Sequence, residues 1–207
     1  MKLKREFKIK SYCHIKNQEI WKDGQSVFKG EGAGFSEFAK CAYRFIELSY
    51  PKFFKMDNLS KLAFLASEIL LKQEDLNSDE NNIALVFSNR ASSLDTDRKH
   101  QESIAVEDNF FPSPAVFVYT LPNICMGEIS IRHKLYSENS FFIFERFNAA
   151  HLELYSNALL RNGKAKKVLS GWVDFDKDTY EAFLYLVEEK GDNTHNTKEI
   201  NRLYNIL

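Results

Sequence analysis

A chain of 207 residues is long enough to bury a sizeable core and sits between one large domain and a domain and a half. Its 28 basic residues against 29 acidic ones give no bulk electrostatic drive toward nucleic acid or an anionic membrane surface. No continuous apolar run approaches the roughly 20 residues that span a bilayer, and no apolar stretch of signal-peptide type follows the basic N-terminus. Three widely spaced cysteines, Cys13, Cys41 and Cys125, read as reduced thiols of a cytoplasmic protein with neither nucleic acid nor membrane as partner.

Residues 5–15 alternate, Phe7, Ile9, Cys13 and Ile15 against Lys8, Lys10 and His14, which predicts a half-exposed strand. Gly30, Gly32 and Gly34 follow as a loop; Phe35 stands where a dinucleotide-binding fingerprint needs its third glycine. Residues 36–48 carry apolar side chains at helical spacing and Pro51 closes them off. Asp57 is placed to cap a second helix whose stripe is Leu59, Leu62, Ala63, Ala66, Ile69 and Leu70, with Lys61, Ser67, Glu68 and Lys72 on a polar face. After a polar loop at 73–82, the apolar run 83–87 predicts a strand covered on both faces. The turn-rich stretch 88–97 reads as a loop, and a loop after a buried strand is a common place for site residues. Pro112, Pro114 and Pro122 precede a helix over 123–135 with Ile124, Gly127, Ile131 and Leu135 inward, where Gly127 would admit another backbone.

Residues 140–174 predict strand, helix, strand: an apolar strand over 140–144, a helix over about 147–161, a stop at Gly163 and a strand over 166–173. The helix has one stripe of Phe147, Ala150, Leu154, Tyr155 and Ala158 and a second at Leu152 and Leu159, so it calls for cover on several sides. A further strand spans 180–188, and a polar tail from 191 ends in a short helix. Enzymes often seat a nucleophile where a buried strand turns into a helix, because free N–H groups there stabilise a thiolate and an oxyanion. Here the corner at 144–148 carries Glu145 and Arg146 and no thiol. Cys125 reads as a buried structural thiol rather than a substitute nucleophile. Asp174, Asp176 and Asp178 imitate a calcium loop, but Thr179 and Tyr185 replace its glycine and closing glutamate, so no metal is expected.

Four segments resemble, in order, the N-terminal half of β-ketoacyl synthases, condensing enzymes of the thiolase fold. They are MDNLSKLAFLASEIL at 56–70, ALVFSNRASSLDTD at 84–97, SPAVFVYTLPNICMGEISIRHKL at 113–135 and NGKAKKVLSGWVD at 162–174. The resemblance implies an α/β, thiolase-like half-fold: a mixed sheet with helices on both faces, in a truncated domain over 1–190 with 191–207 as the tail. Carried over, the family's nucleophilic cysteine falls on Arg146 or Phe147, and neither side chain can attack a thioester. The family also draws two basic residues from a C-terminal half that this chain, at about half the family's length, does not supply; His195 lacks their surrounding motif.

The resemblance therefore implies no catalytic residue and no cofactor, and points to chain-length-factor-like subunits such as the short ones of aryl polyene and flexirubin-type pathways. Their partners are a full-length ketosynthase, in a heterodimer, and an acyl carrier protein. The strand Phe141, Phe142, Ile143 and Phe144 is then the partner interface. Arg161, Lys164, Lys166 and Lys167 become a carrier-protein contact, against the plainer reading of a solvated basic surface, and Arg146 becomes either an anion contact or a substitution tolerated once catalysis was lost. Two alternatives stay open: an acyl-thioester hydrolase using Glu145 or His151 with water, and an acyl-binding homodimer.

Overall fold

The computed structural model describes residues 6–32, 34–72, 74–76, 81–105 and 112–206. Among them the strands form one mixed eight-stranded sheet, ordered β3-β2-β1-β7-β6-β4-β5, with β8 beside β1. The first three strands are β1 (Lys8–Lys16), β2 (Glu19–Lys22) and β3 (Gln25–Lys29). Later in the chain come β4 (Ile83–Asn89), β5 (Asn139–Ile143), β6 (Lys167–Asp176), β7 (Thr179–Glu188) and β8 (Asn193–Thr194). Parallel pairing is confined to β5, β4 and β6; β7 runs antiparallel to β6 and to β1.

The helices lie on both faces. On one, α1 (Phe35–Phe45), α2 (Asn58–Leu71) and α5 (Ile124–His133) close a core around Phe38, Phe64, Leu65, Phe87 and Leu184. On the other, α6 (Ala149–Arg161) and α7 (Thr197–Tyr204) cover Val86, Val168, Phe183 and Tyr185. Two further helices, α3 (Leu94–Ile104) and α4 (Pro114–Val118), pack against each other.

Double-sided cover explains β4, buried at every position as its apolar run predicts. It also corrects β1, which is not half-exposed: Tyr12, Cys13, His14 and Ile15 are all buried. Asp57 caps α2 as expected, its Oδ1 accepting from Ser60 N at 2.9 Å. The face of α2 expected to be polar and exposed is in part buried, because α5 packs over it. Ser67 donates to Ala63 O at 2.8 Å, and the Glu68 carboxylate lies 3.2 Å from Arg132 and 2.8 Å from His133, both on α5.

The inward faces of two helices differ from those expected. On α5 the buried residues are Cys125, Met126, Glu128 and Ile129, while Ile131 is 65% exposed and a Cβ on Gly127 would meet nothing. On α6 they are Ala149, Leu152, Ser156, Asn157, Leu159 and Leu160, with Leu154 70% exposed. Part of the stretch read as a loop at 88–97 is the first turn of α3. The tail from 191 carries its helix and is anchored: Ile200 and Leu203 are buried, as is His195.

Candidate functional site at the strand-to-helix corner

The parallel strands β4, β5 and β6 end along one rim of the sheet, the position where open α/β sheets place ligands. After β4 the chain turns through a tight loop. Asn89 Nδ2 donates to Ser92 O at 2.8 Å, Ser92 N donates back to Asn89 Oδ1 at 2.9 Å, and Ser92 holds φ at +52°. From β6, Asp174 Oδ1 accepts from the backbone N of Arg90 at 3.0 Å and of Ala91 at 2.9 Å. Asp176 pairs with Arg98 at 2.5 Å, and this guanidinium holds its carboxyl below the usual range. Both aspartates are thus engaged in fixing the rim, and no cluster of three metal-ligating side chains occurs among the described residues.

After β5, Phe144 N donates to Asn89 O at 2.8 Å before the chain bends outward. Glu145 and Arg146 are exposed in that bend. Phe147 then turns inward and stacks on Tyr204 of α7, with centroids 4.2 Å apart and planes at 27°; it meets Phe183 and Trp172 edge-on at 5.7 and 6.3 Å. Asn148 caps α6, its Oδ1 accepting from His151 N at 3.1 Å. The helix therefore begins at Ala149, two residues later than expected, and Arg146 sits ahead of the cap rather than against the positive end of the helix dipole. A phenyl ring, held by an aromatic nest, lies where the chain enters the helix.

The residues of the hydrolase alternative do not meet as an acid–base pair. His151 packs edge-on between Phe142, at 4.4 Å, and Phe144, at 5.0 Å, and its Nε2 has no hydrogen-bond partner among the described residues, whereas Glu145 is exposed. Cys125 is 1% exposed and burial pushes its thiol well above the ordinary range, so it is no thiolate nucleophile.

Among the described residues β5 bonds only to β4, leaving its other edge open. Phe141 and Phe142 are half-buried, and Ile143 is 51% exposed. Exposed apolar side chains flank that edge in sequence, Ile131 and Tyr136 before it and Leu154 after it. The basic cluster is not uniform. Lys167 is tied to Glu74 and, at 3.1 Å, to Glu188, while Arg161, Lys164 and Lys166 are exposed. Sequence reasoning missed the Asp174 carboxylate as a ligand of backbone N–H groups, because the Arg90 and Ala91 amides it accepts from lie 84 and 83 residues away in the chain and no local signal connects them.

The chain has the thiolase-like α/β fold of ketosynthases and chain length factors. It superposes on a chain of the ishigamide ketosynthase/chain length factor with a TM-score of 0.65 at 17% identity, covering 91% of this chain and 64% of that one. The ketosynthase ApeO in complex with its chain length factor ApeC, from Xenorhabdus doucetiae, gives 0.59 at 15% identity, with 90% and 80% covered. The AntDE:AntF assembly, a type II polyketide synthase acyl-carrier protein with its ketosynthase bound to the hexaketide, gives 0.64 at 12% identity, with 91% and 64% covered. This chain thus spans about two thirds of the ishigamide and AntDE:AntF chains. No protein-family model matches the sequence, and no curated protein does. No helix among the described residues is long and apolar enough to cross a membrane.

Proposed function

We propose that this chain is a cytoplasmic, non-condensing subunit of the chain-length-factor kind, pairing through β5 with an active ketosynthase in acyl-carrier-protein-dependent fatty-acid or polyene synthesis. The observation that carries this reading is the conjunction at one corner of a parallel edge strand, unpaired on one side among the described residues, and a thiol-free helix entry where Phe147 stacks on Tyr204. Solved neighbours of the fold include a ketosynthase with its chain length factor and a ketosynthase with its acyl-carrier protein, which supports both partners. The edge β5, with Phe141, Phe142, Ile143 and Phe144, gives the ketosynthase a strand to extend, and Ile143 gives it apolar surface to cover. The exposed Arg161, Lys164 and Lys166 offer an acidic carrier protein a cationic patch, and Lys167, already neutralised by Glu74 and Glu188, contributes little to it.

Sedimentation of the chain alone and co-expressed with full-length ketosynthases from the same genome tests the pairing. A one-to-one complex with one of them is expected; a stable monomer indifferent to all of them overturns the reading. The purified chain is expected to leave acyl thioesters intact. Turnover that Glu145→Ala or His151→Ala abolishes would establish the hydrolase reading instead.

A further inference from the structure

Away from the corner, a cavity of about 250 Å³ lies between the start of α2, α3 and α4. Three lysines from separate elements line it together: Lys55 at the end of the 3-10 turn Pro51–Lys55, Lys61 in the first turn of α2, and Lys99 in α3. Met56, Val116 and Tyr119 give it an apolar wall, of which Met56 and Tyr119 are buried.

The lysines of this region are not equally matched. Lys52, earlier in the same 3-10 turn, pairs with Glu128 at 2.8 Å, and Lys99 pairs with Asp95 at 2.6 Å. Among the described residues, no carboxylate lies within ion-pair distance of the Lys55 or the Lys61 ammonium group. Asp57 also lines the cavity, but both its oxygens are engaged: Oδ1 accepts from Ser60 N at 2.9 Å and Oδ2 from Thr96 Oγ1 at 2.7 Å. Lys61 is half-buried, and burial pushes its ammonium below the ordinary range; Asp57 opposes that fall, while Lys99 and Lys40 add to it. Around the cavity, then, the four lysines Lys40, Lys55, Lys61 and Lys99 face only the two aspartates Asp57 and Asp95.

A cation is repelled by this excess, and a neutral ligand leaves it uncompensated. A dianion with a compact apolar body neutralises it and covers the wall. A phosphate monoester has that charge, close to −2 once the pH is well above its second pKa of about 6. Its oxygens accept from ammonium groups in charge-assisted hydrogen bonds, which are the stronger kind.

We propose that this cavity is a binding site for a small phosphate monoester, its phosphate held by the Lys55, Lys61 and Lys99 ammonium groups and its organic part lying on Met56, Val116 and Tyr119. The site stands apart from ketosynthase pairing, since none of its lining residues comes from β5 or α6. Titration of the isotope-labelled whole chain with phenyl phosphate at pH 8 and constant ionic strength, followed by amide chemical shifts, tests it. Shifts are expected to concentrate at 55–61, 96–99 and 115–119. The dissociation constant is expected to rise about five-fold or more in Lys55→Met and in Lys61→Met, and to stay unchanged in Lys29→Met, an exposed lysine of β3 outside the cavity. Benzoate, with the same ring and a single charge, is expected to bind more weakly than phenyl phosphate. Benzoate binding as tightly as phenyl phosphate overturns the ligand class. Amide shifts scattered over the surface, or an affinity that survives Lys61→Met, overturn the site. If Lys61→Met fails to fold, Lys55→Met, on an exposed side chain, and the shifts of the parent decide it.

Discussion

Lowering the pH from 8 to 5 is expected to destabilise this protein substantially through two histidines. His14 is 1% exposed, ringed by Tyr12, Phe183 and Tyr204, and donates from Nε2 to Leu203 O at 3.1 Å. His195 is 6% exposed and sits against Asn157 and Tyr185. Burial lowers the pKa of each from 6.5 to about 4, outweighing the opposing pull of Glu181 on the first and of Glu153 on the second. Between pH 6.5 and 4 the unfolded chain therefore binds protons that the folded chain refuses. Stability is full above about pH 7, falls as the pH drops through 6.5 and reaches its floor below about 4. With those two pKa values, each histidine costs about 2 kcal/mol at pH 5 relative to pH 8, and the pair about 4. That is a large part of the roughly 5–15 kcal/mol holding a domain together. In a chain of this length it lowers the midpoint by about 8–16 °C. The buried carboxyl of Asp57, raised by desolvation, works weakly in the opposite sense. Thermal melts at pH 8, 7, 6 and 5 and constant ionic strength measure the effect, with His14→Gln and His195→Gln each expected to remove about half of the pH dependence whatever they do to stability at pH 8. A flat profile, or a double variant that keeps the parent's slope, refutes the argument.

Phe147→Ala is expected to cost about 2 kcal/mol in urea titrations, since it deletes a half-buried ring stacked on Tyr204. Ile143→Lys is expected to abolish ketosynthase pairing in sedimentation while changing stability by less than about 0.5 kcal/mol, because that side chain is half exposed on an open edge. Gly171→Ala is expected to fail to fold or to lose several kcal/mol: φ is +152°, and the added methyl would lie 2.0 Å from Phe183 O on the paired strand. Lys167→Ala is expected to destabilise the fold, as Glu74 is 4% exposed and loses one of its two cations, whereas Lys166→Ala, on an exposed side chain, is expected to leave stability unchanged. Urea midpoints of the two variants compared side by side check this.

The parts legible in the sequence are those whose signal is local. Asp57 announces its cap, the 83–87 run its double burial, and Gly163, at φ +69°, its helix stop. The hairpins joining β1, β2 and β3 were equally local and were missed. Asp23-Gly24 is the favoured pair for a two-residue turn, and Asn17 and Gln18 both adopt positive φ in the preceding one. The faces of α5 and α6 were legible in period but not in phase. Where most of a helix's circumference is apolar, the choice between Ile131 and Ile129, or Leu154 and Leu152, is made by the sheet it lands on. Helix α3 was hidden because only Thr96 is buried along it, leaving no apolar rhythm to read. That residues 144–148 carry no thiol is legible from residue types alone. The packing of the Phe147 ring there is not, because Tyr204 lies in a segment that reads as a polar tail and meets Phe147 only once the sheet has formed.

The place of β1 in the sheet also bears on how the chain is made. It pairs with β7 from Lys8 with Glu188 to Lys16 with Glu181, so its neighbour on that side is synthesised about 170 residues after it. At about 5–20 residues per second, that partner follows on the order of 10–35 s later. During that interval β1, its hairpin and the apolar strand β4 have emerged without the strands that complete the sheet between them. A topology dominated by such distant pairings folds slowly and late, and slower elongation before β7 prolongs the time the N-terminal strands spend without that partner.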